Sequence, residues 1–334
     1  MEAHPPIQLF SLENTSGLKV TFTDVGAGIV SVEMSDSRGD IDVVNLGFNN
    51  PNQYLTNPRY FGATMGRCCG RIANAQFDID GETFSVSQNH GKHHIHGGNP
   101  GFSHAFWLAR PNGKAIRFQH SSPSGDQGYP GKLDVIVAYS ITDENELICD
   151  YQATTDQATP INLTNHSYWN LSGTRGKSPA NQCVLDHHIQ LNARHYLEMD
   201  AEMIPTGQLL PTAQSPFDFS AAQRLDNKMK QLGSGFDHCF VIDKPGPGLA
   251  LAGTVTHPKS GRILTIRTTQ PAFQFYTANF LDGSRSCGGY PAHSGLCLET
   301  QHFPDSPHHP NFPTTILHPG ETFHQTTIFE FSTL

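Results

Sequence analysis

Gln76-Phe77-Asp78-Ile79-Asp80-Gly81-Glu82-Thr83-Phe84-Ser85-Val86 is the stretch whose reading decides the fold. Asp-Gly suits a type I′ turn, because both central residues of that turn need positive φ. On either side, Gln76–Ile79 and residues 83–86 alternate apolar and polar side chains with the period of a strand lying on a core. The stretch predicts an antiparallel hairpin. Toward the N-terminus, residues 18–23 and 29–34 flank Gly26-Ala27-Gly28 and predict a second one. Toward the C-terminus the same pattern recurs at Leu133–Ile141, 146–153, 253–255, Arg262–Thr268, 272–277 and 322–331. Against these many strand-like runs stands one helix candidate, 221–231, with Ser220 as N-cap and Gly233 as its stop.

The chain has 334 residues, with 31 Gly and 23 Pro to serve turns between short strands. It shows no internal repeat and no linker, so the expectation is a single domain spanning 1–334. That domain is all-β, a large antiparallel sandwich or a barrel, with a concave face for a ligand. A net charge of -9 and the lack of a basic stripe argue against a nucleic-acid partner. No run approaches the length of a membrane span, and Met1-Glu2-Ala3-His4-Pro5-Pro6 lacks a charged-then-apolar leader. The seven cysteines are odd in number and form no C-x-x-C pair, so they read as free thiols, Cys68-Cys69 included. A soluble, cytoplasmic protein is expected.

Within Gly295-Leu296-Cys297-Leu298-Glu299-Thr300-Gln301-His302-Phe303-Pro304-Asp305, Glu299 falls on the face opposite the two leucines, at a strand end before Pro304. A carboxylate beside apolar residues has a raised pKa, which suits a general base or acid working near neutrality. The alternative is a solvated strand-end glutamate. In Pro160-Ile161-Asn162-Leu163-Thr164-Asn165-His166-Ser167-Tyr168-Trp169-Asn170-Leu171, His166 shares its face with Asn162 and Thr164. A nearby carboxylate would raise its pKa and make it a competent acid, the alternative being a satisfied core histidine.

In His93-His94-Ile95-His96-Gly97-Gly98, His94 and His96 fall on one face of an extended segment, but no third ligand completes a metal set, and no metal is expected. Gly97-Gly98 lets the backbone approach a ligand or a neighbouring strand. Gly66-Arg67-Cys68-Cys69-Gly70-Arg71-Ile72 lacks the ending of a phosphate loop, which leaves Arg71 as a fork of donors for oxygen ligands or a strand-end arginine. Asp237 stands at the head of a strand, suited to accepting from hydroxyls or to capping a turn. No nucleophile elbow is present. Arg71, His96, His166, Asp237, Gln274 and Glu299, with Trp169, Tyr168, Tyr276 and Phe303 as aromatic surfaces, instead make a set suited to a polyol.

Taken together, the chain closely resembles the aldose 1-epimerase, or galactose mutarotase, family along nearly all its length. The resemblance runs through Gly66-Arg67 with Arg71-Ile72, His96-Gly97-Gly98 with Trp107, residues 159–171 and Ile204-Pro205-Thr206-Gly207. It continues through Gly235-Phe236-Asp237-His238, Gln274-Phe275-Tyr276, Leu298-Glu299 with Pro304-Asp305, and Leu317-His318-Pro319-Gly320-Glu321. It implies a single large β-sandwich of the mutarotase type with an open cleft. It implies that Glu299 is the base and His166 the acid, with Arg71, His96, Asp237 and Gln274 as sugar contacts and Tyr168 near the acid. The partner it implies is a free hexose, without cofactor, membrane or nucleic acid, and the assembly a monomer or homodimer. One departure is Gly70, where the family commonly carries an Asn that would meet a sugar hydroxyl.

Overall fold

The structure is a computed structural model that describes residues 5–334; Met1–His4, at the start of the segment read as leaderless, lie outside the described residues. Its architecture follows from strands with one apolar face. In Leu133–Ile141 the odd-numbered residues Leu133, Val135, Val137, Tyr139 and Ile141 are buried, while those between them are exposed or half-buried. The strand pairs antiparallel with Glu146–Thr155, placing Val137 opposite the buried Tyr151, so the two apolar faces coincide.

Extended in both directions, this pairing builds a nine-stranded sheet. Its order is Leu108–Asn112, Ala115–Ser122, Leu133–Ile141, Glu146–Thr155, Phe323–Thr333, Arg262–Thr268, Ala250–His257, His188–Leu191 and Gln223–Arg224. A four-stranded sheet of Leu9–Glu13, Lys19–Thr23, Gly28–Ser35 and Ile41–Val43 contains the predicted N-terminal hairpin. A five-stranded sheet is ordered Pro205–Pro211, His195–Met199, Asp237–Val241, Ala272–Tyr276 and Cys297–Gln301. All three give side chains to one apolar cluster, among them Phe22, Val137 and Phe273. The layers are therefore packed sheets, a large antiparallel sandwich. The Asp-Gly hairpin is present as Gln76–Ile79 paired with Glu82–Ser85.

Three expectations are corrected. The helix is Leu225–Leu232, four residues shorter at its start than expected, because Gln223–Arg224 pairs with His188–Leu191 instead. Ser220 is no cap: its hydroxyl donates to Asp218 Oδ1 at 2.6 Å, whereas Gly233 does end the helix in the left-handed conformation. Residues 160–171 are no continuous strand, since only Thr159–Pro160 and Thr164–Asn165 pair within strands. Their asparagine side chains bond loop backbone instead: Asn162 exchanges bonds with His302, Asn165 donates to the Gly62 carbonyl, and Asn170 donates to that of Ser294.

Candidate active site

Two strands of the five-stranded sheet, Ala272–Tyr276 and Cys297–Gln301, are buried on both faces. Phe273, Phe275, Leu296 and Leu298 enter the core, and the alternation turns Gln274, Tyr276, Cys297, Glu299 and Gln301 the other way. Register sets these side by side: Gln274 lies opposite Glu299, and Asp237 opposite Tyr276. Glu299 thus sits in mid-strand, not at a strand end as expected. Loops cover this second face and leave a cleft with about 910 Å³ of empty space, open to solvent on one side. Arg71, His96, His166, Tyr168, Asp237, Gln274 and Glu299 all line it. Trp169 and Phe303 do not: Trp169 packs on Phe329 and Phe331 in the core, and Phe303 on Phe312.

Arg71 begins the short strand Arg71–Ile72, which pairs with His94–Ile95. That pairing ends at Ile95 because His96 turns to φ 51, so His94 and His96 do not share a face as expected. His94 is held between the Ser87 carbonyl and the Tyr129 hydroxyl, whereas His96 reaches the cleft. The Gly70 N–H donates to His96 Nδ1 over 3.4 Å and the His96 N–H to the Gly70 carbonyl over 3.1 Å. With Nδ1 accepting, the proton of neutral His96 sits on Nε2, where it is free to donate. Gly97 is as close to backbone as expected: a Cβ there would lie 1.7 Å from the Gly66 carbonyl oxygen.

His166 Nε2 lies 3.7 Å from Glu299 Oε2. Burial pushes the Glu299 carboxyl well above the usual carboxylate range, the Asp237 charge adds to this, and Arg71 opposes it. Burial lowers His166 to about 4, contrary to the expectation that a neighbouring carboxylate would raise it. Desolvation outweighs attraction here because the ring is only 4% exposed and is walled by rings, with Tyr168 stacked on it at 4.9 Å. His96 is also pushed well down, by burial and then by His166. Opposite the pair, Gln274 Nε2 donates to Asp237 Oδ1 at 2.6 Å, and Arg71 Nη2 lies 3.9 Å from Asp237 Oδ2.

Arg71 Nε, Gln274 Oε1, Glu299 Oε2 and Gln301 Nε2 are buried with no hydrogen-bond partner in the protein. Each such group costs roughly 1–3 kcal/mol unless a ligand supplies the missing bond. Donors and acceptors mixed on one wall, with Tyr60, Tyr168 and Tyr276 nearby, match hydroxyls set around an apolar ring. Gln301 and Cys297 are additions that the period-2 rule applied to Glu299 could have found. Tyr60, Asn89 and His90 arrive on loops whose shape no local pattern announces.

A family model described as aldose 1-epimerase matches residues 8–330. Galactose mutarotase from Homo sapiens is 40% identical over 330 residues, covering 98% of this chain and 94% of that protein. Aldose 1-epimerase from Escherichia coli K12 is 36% identical over 337 residues, covering 98% and 95%. The crystal structure of an aldose epimerase homologue from C. elegans superposes with a TM-score of 0.90 at 28% identity, over 98% of this chain and all of that one.

Proposed function

The chain belongs to the aldose 1-epimerase family, and we propose that it interconverts the α and β anomers of free hexoses such as galactose or glucose, with Glu299 as its base and His166 as its acid. The observation that carries this assignment is the 3.7 Å approach of the two groups in the cleft, close enough to serve neighbouring oxygens of one sugar ring. Glu299 removes the proton of the anomeric hydroxyl while His166 protonates the ring oxygen, so the C1–O5 bond breaks and C1 becomes an aldehyde. Rotation about C1–C2 presents the other face. The O5 hydroxyl then attacks C1 and returns its proton to His166, while Glu299 returns its proton to O1, with no net proton gained or lost. Arg71, His96, Asp237 and Gln274 hold the hydroxyls, and Tyr168 supports the acid. The set of unpartnered polar atoms supports this reading.

Among the described residues no helix is long and apolar enough to cross a membrane. Seven free thiols, six of them buried, support a reducing, cytoplasmic setting. The assignment is tested by polarimetry of freshly dissolved α-glucose or α-galactose. Glu299→Gln and His166→Asn each lower kcat by on the order of 10²–10⁴ while sugar binding persists, because the neutral isosteres keep shape and lose proton transfer. Near-normal turnover in either variant removes that residue from the pair.

A further inference from the structure

Cys297 lies two residues before Glu299 on one strand, so both side chains leave the sheet on the same side. The Cys297 sulfur lies 3.6 Å from His166 Nδ1, and Glu299 Oε2 lies 3.7 Å from Nε2. Cys297 is fully buried. These three residues have donor atoms within 4.8 Å of one another, but the thiol and the carboxylate address different nitrogens of the ring.

The proton count decides what the sulfur does. His166 meets the sugar through Nε2, the nitrogen beside Glu299. Once Nε2 has protonated the ring oxygen, the proton left on the imidazole is at Nδ1, facing the sulfur. When the ring recloses, Nε2 is the nitrogen that must be free to take its proton back. Nδ1 therefore keeps its hydrogen through the whole cycle. We propose that Cys297 is a positioning residue whose sulfur accepts the Nδ1–H of His166 and so reserves Nε2 for proton exchange with the sugar. This rests on the assignment of His166 as the acid.

Sulfur is suited to the task because it is a weak acceptor that stays uncharged. A carboxylate behind the ring would fix the same tautomer but would also stabilise the imidazolium and weaken it as an acid. Burial raises the Cys297 thiol well above its usual range, so it remains neutral, and His166 is left a strong acid. The other titratable groups facing the ring are Tyr60, Tyr168, Tyr276 and His96. Burial raises the three tyrosines and lowers His96, so near neutrality none of the four is charged. Arg71 and Asp237 stand on the Glu299 side of the cleft.

The test is ¹⁵N NMR of histidine-labelled full-length protein at neutral pH, beside turnover. His166 should show Nδ1 protonated and Nε2 unprotonated. Cys297→Ala should shift the ring toward the Nε2–H tautomer and lower kcat about tenfold, the scale of losing a group that orients a functional histidine, with KM little changed. Cys297→Ser, which keeps an acceptor, should restore part of both. A wild-type ring protonated at Nε2 overturns the proposal, as does Cys297→Ala with wild-type kcat. Equal losses in the Ala and Ser variants with an unchanged tautomer assign the thiol to packing and overturn it as well. The tautomer is read without turnover, so its outcome stays separate from that of His166→Asn, which decides whether His166 is the acid.

Discussion

Burial moves Glu299 and His166 in opposite directions, and a pH profile of kcat/KM reads both. With Glu299 as base and His166 as acid, as proposed, the working pair holds one proton, which resides mainly on Glu299 and reacts when it is on His166. As pH falls through about 4 the pair gains a second proton and the base is lost. As pH rises through the raised Glu299 value the pair loses its last proton and the acid is lost. The expected profile is a bell with an unusually low acid limb; an acid limb near the ordinary imidazole range would show that burial does not control His166. At Gly70, which lines the cleft, a backbone account stands beside the expected lost sugar contact. Its φ is +70, and an added Cβ would lie 3.0 Å from Pro304 Cβ. Gly70→Ala should lower stability by about 1 kcal/mol and Gly70→Asn by less, because Asn tolerates the left-handed region; equal losses in thermal melts would sink that account. The Glu299 shift was legible in the sequence, since alternation with Leu296 and Leu298 announces a carboxylate in an apolar wall. The His166 shift was not, because of the rings that desolvate it only Tyr168 is a near neighbour in the chain, while Tyr60 and Tyr276 come from distant segments.

Strands were legible wherever one face meets the core and the other does not, as in Leu133–Ile141. The rule weakens where both faces are buried: in Cys297–Gln301 every residue is buried, so alternation still gave the direction of Glu299 but not its place within the strand. It fails for residues 160–171, whose backbone groups are satisfied by side chains and loops rather than by a ladder. The helix start was misread because Gln223–Arg224 is claimed by an edge pairing that local propensity does not register. At the turn following His94–Ile95, the close packing of Gly97 on Gly66 gives a sharp prediction. Gly97→Ala combines φ +81 with a backbone overlap and should destabilise by at least about 2–3 kcal/mol, with His96 displaced from the cleft. A variant with wild-type melting temperature and KM would show that this turn does not position His96.

At the scale of the molecule, one apolar cluster joins the three large sheets, and we propose that residues 1–334 form a single cooperative unit. Far-ultraviolet circular dichroism and tryptophan fluorescence should then report coincident denaturant transitions; two separated midpoints would divide the chain into domains. Trp107 and Trp169 are both buried in that cluster, so the fluorescence follows the core itself. The distribution of sulfur adds a second, chemical clock. Cys183 is exposed, while Cys68, Cys69, Cys149, Cys239, Cys287 and Cys297 are sealed inside. A water-soluble thiol reagent should therefore modify one site in seconds and the other six only as fast as the chain opens. That single outward thiol also makes a natural point of attachment for a dye, a spin label or a solid support, outside the residues that line the cleft and without altering any residue.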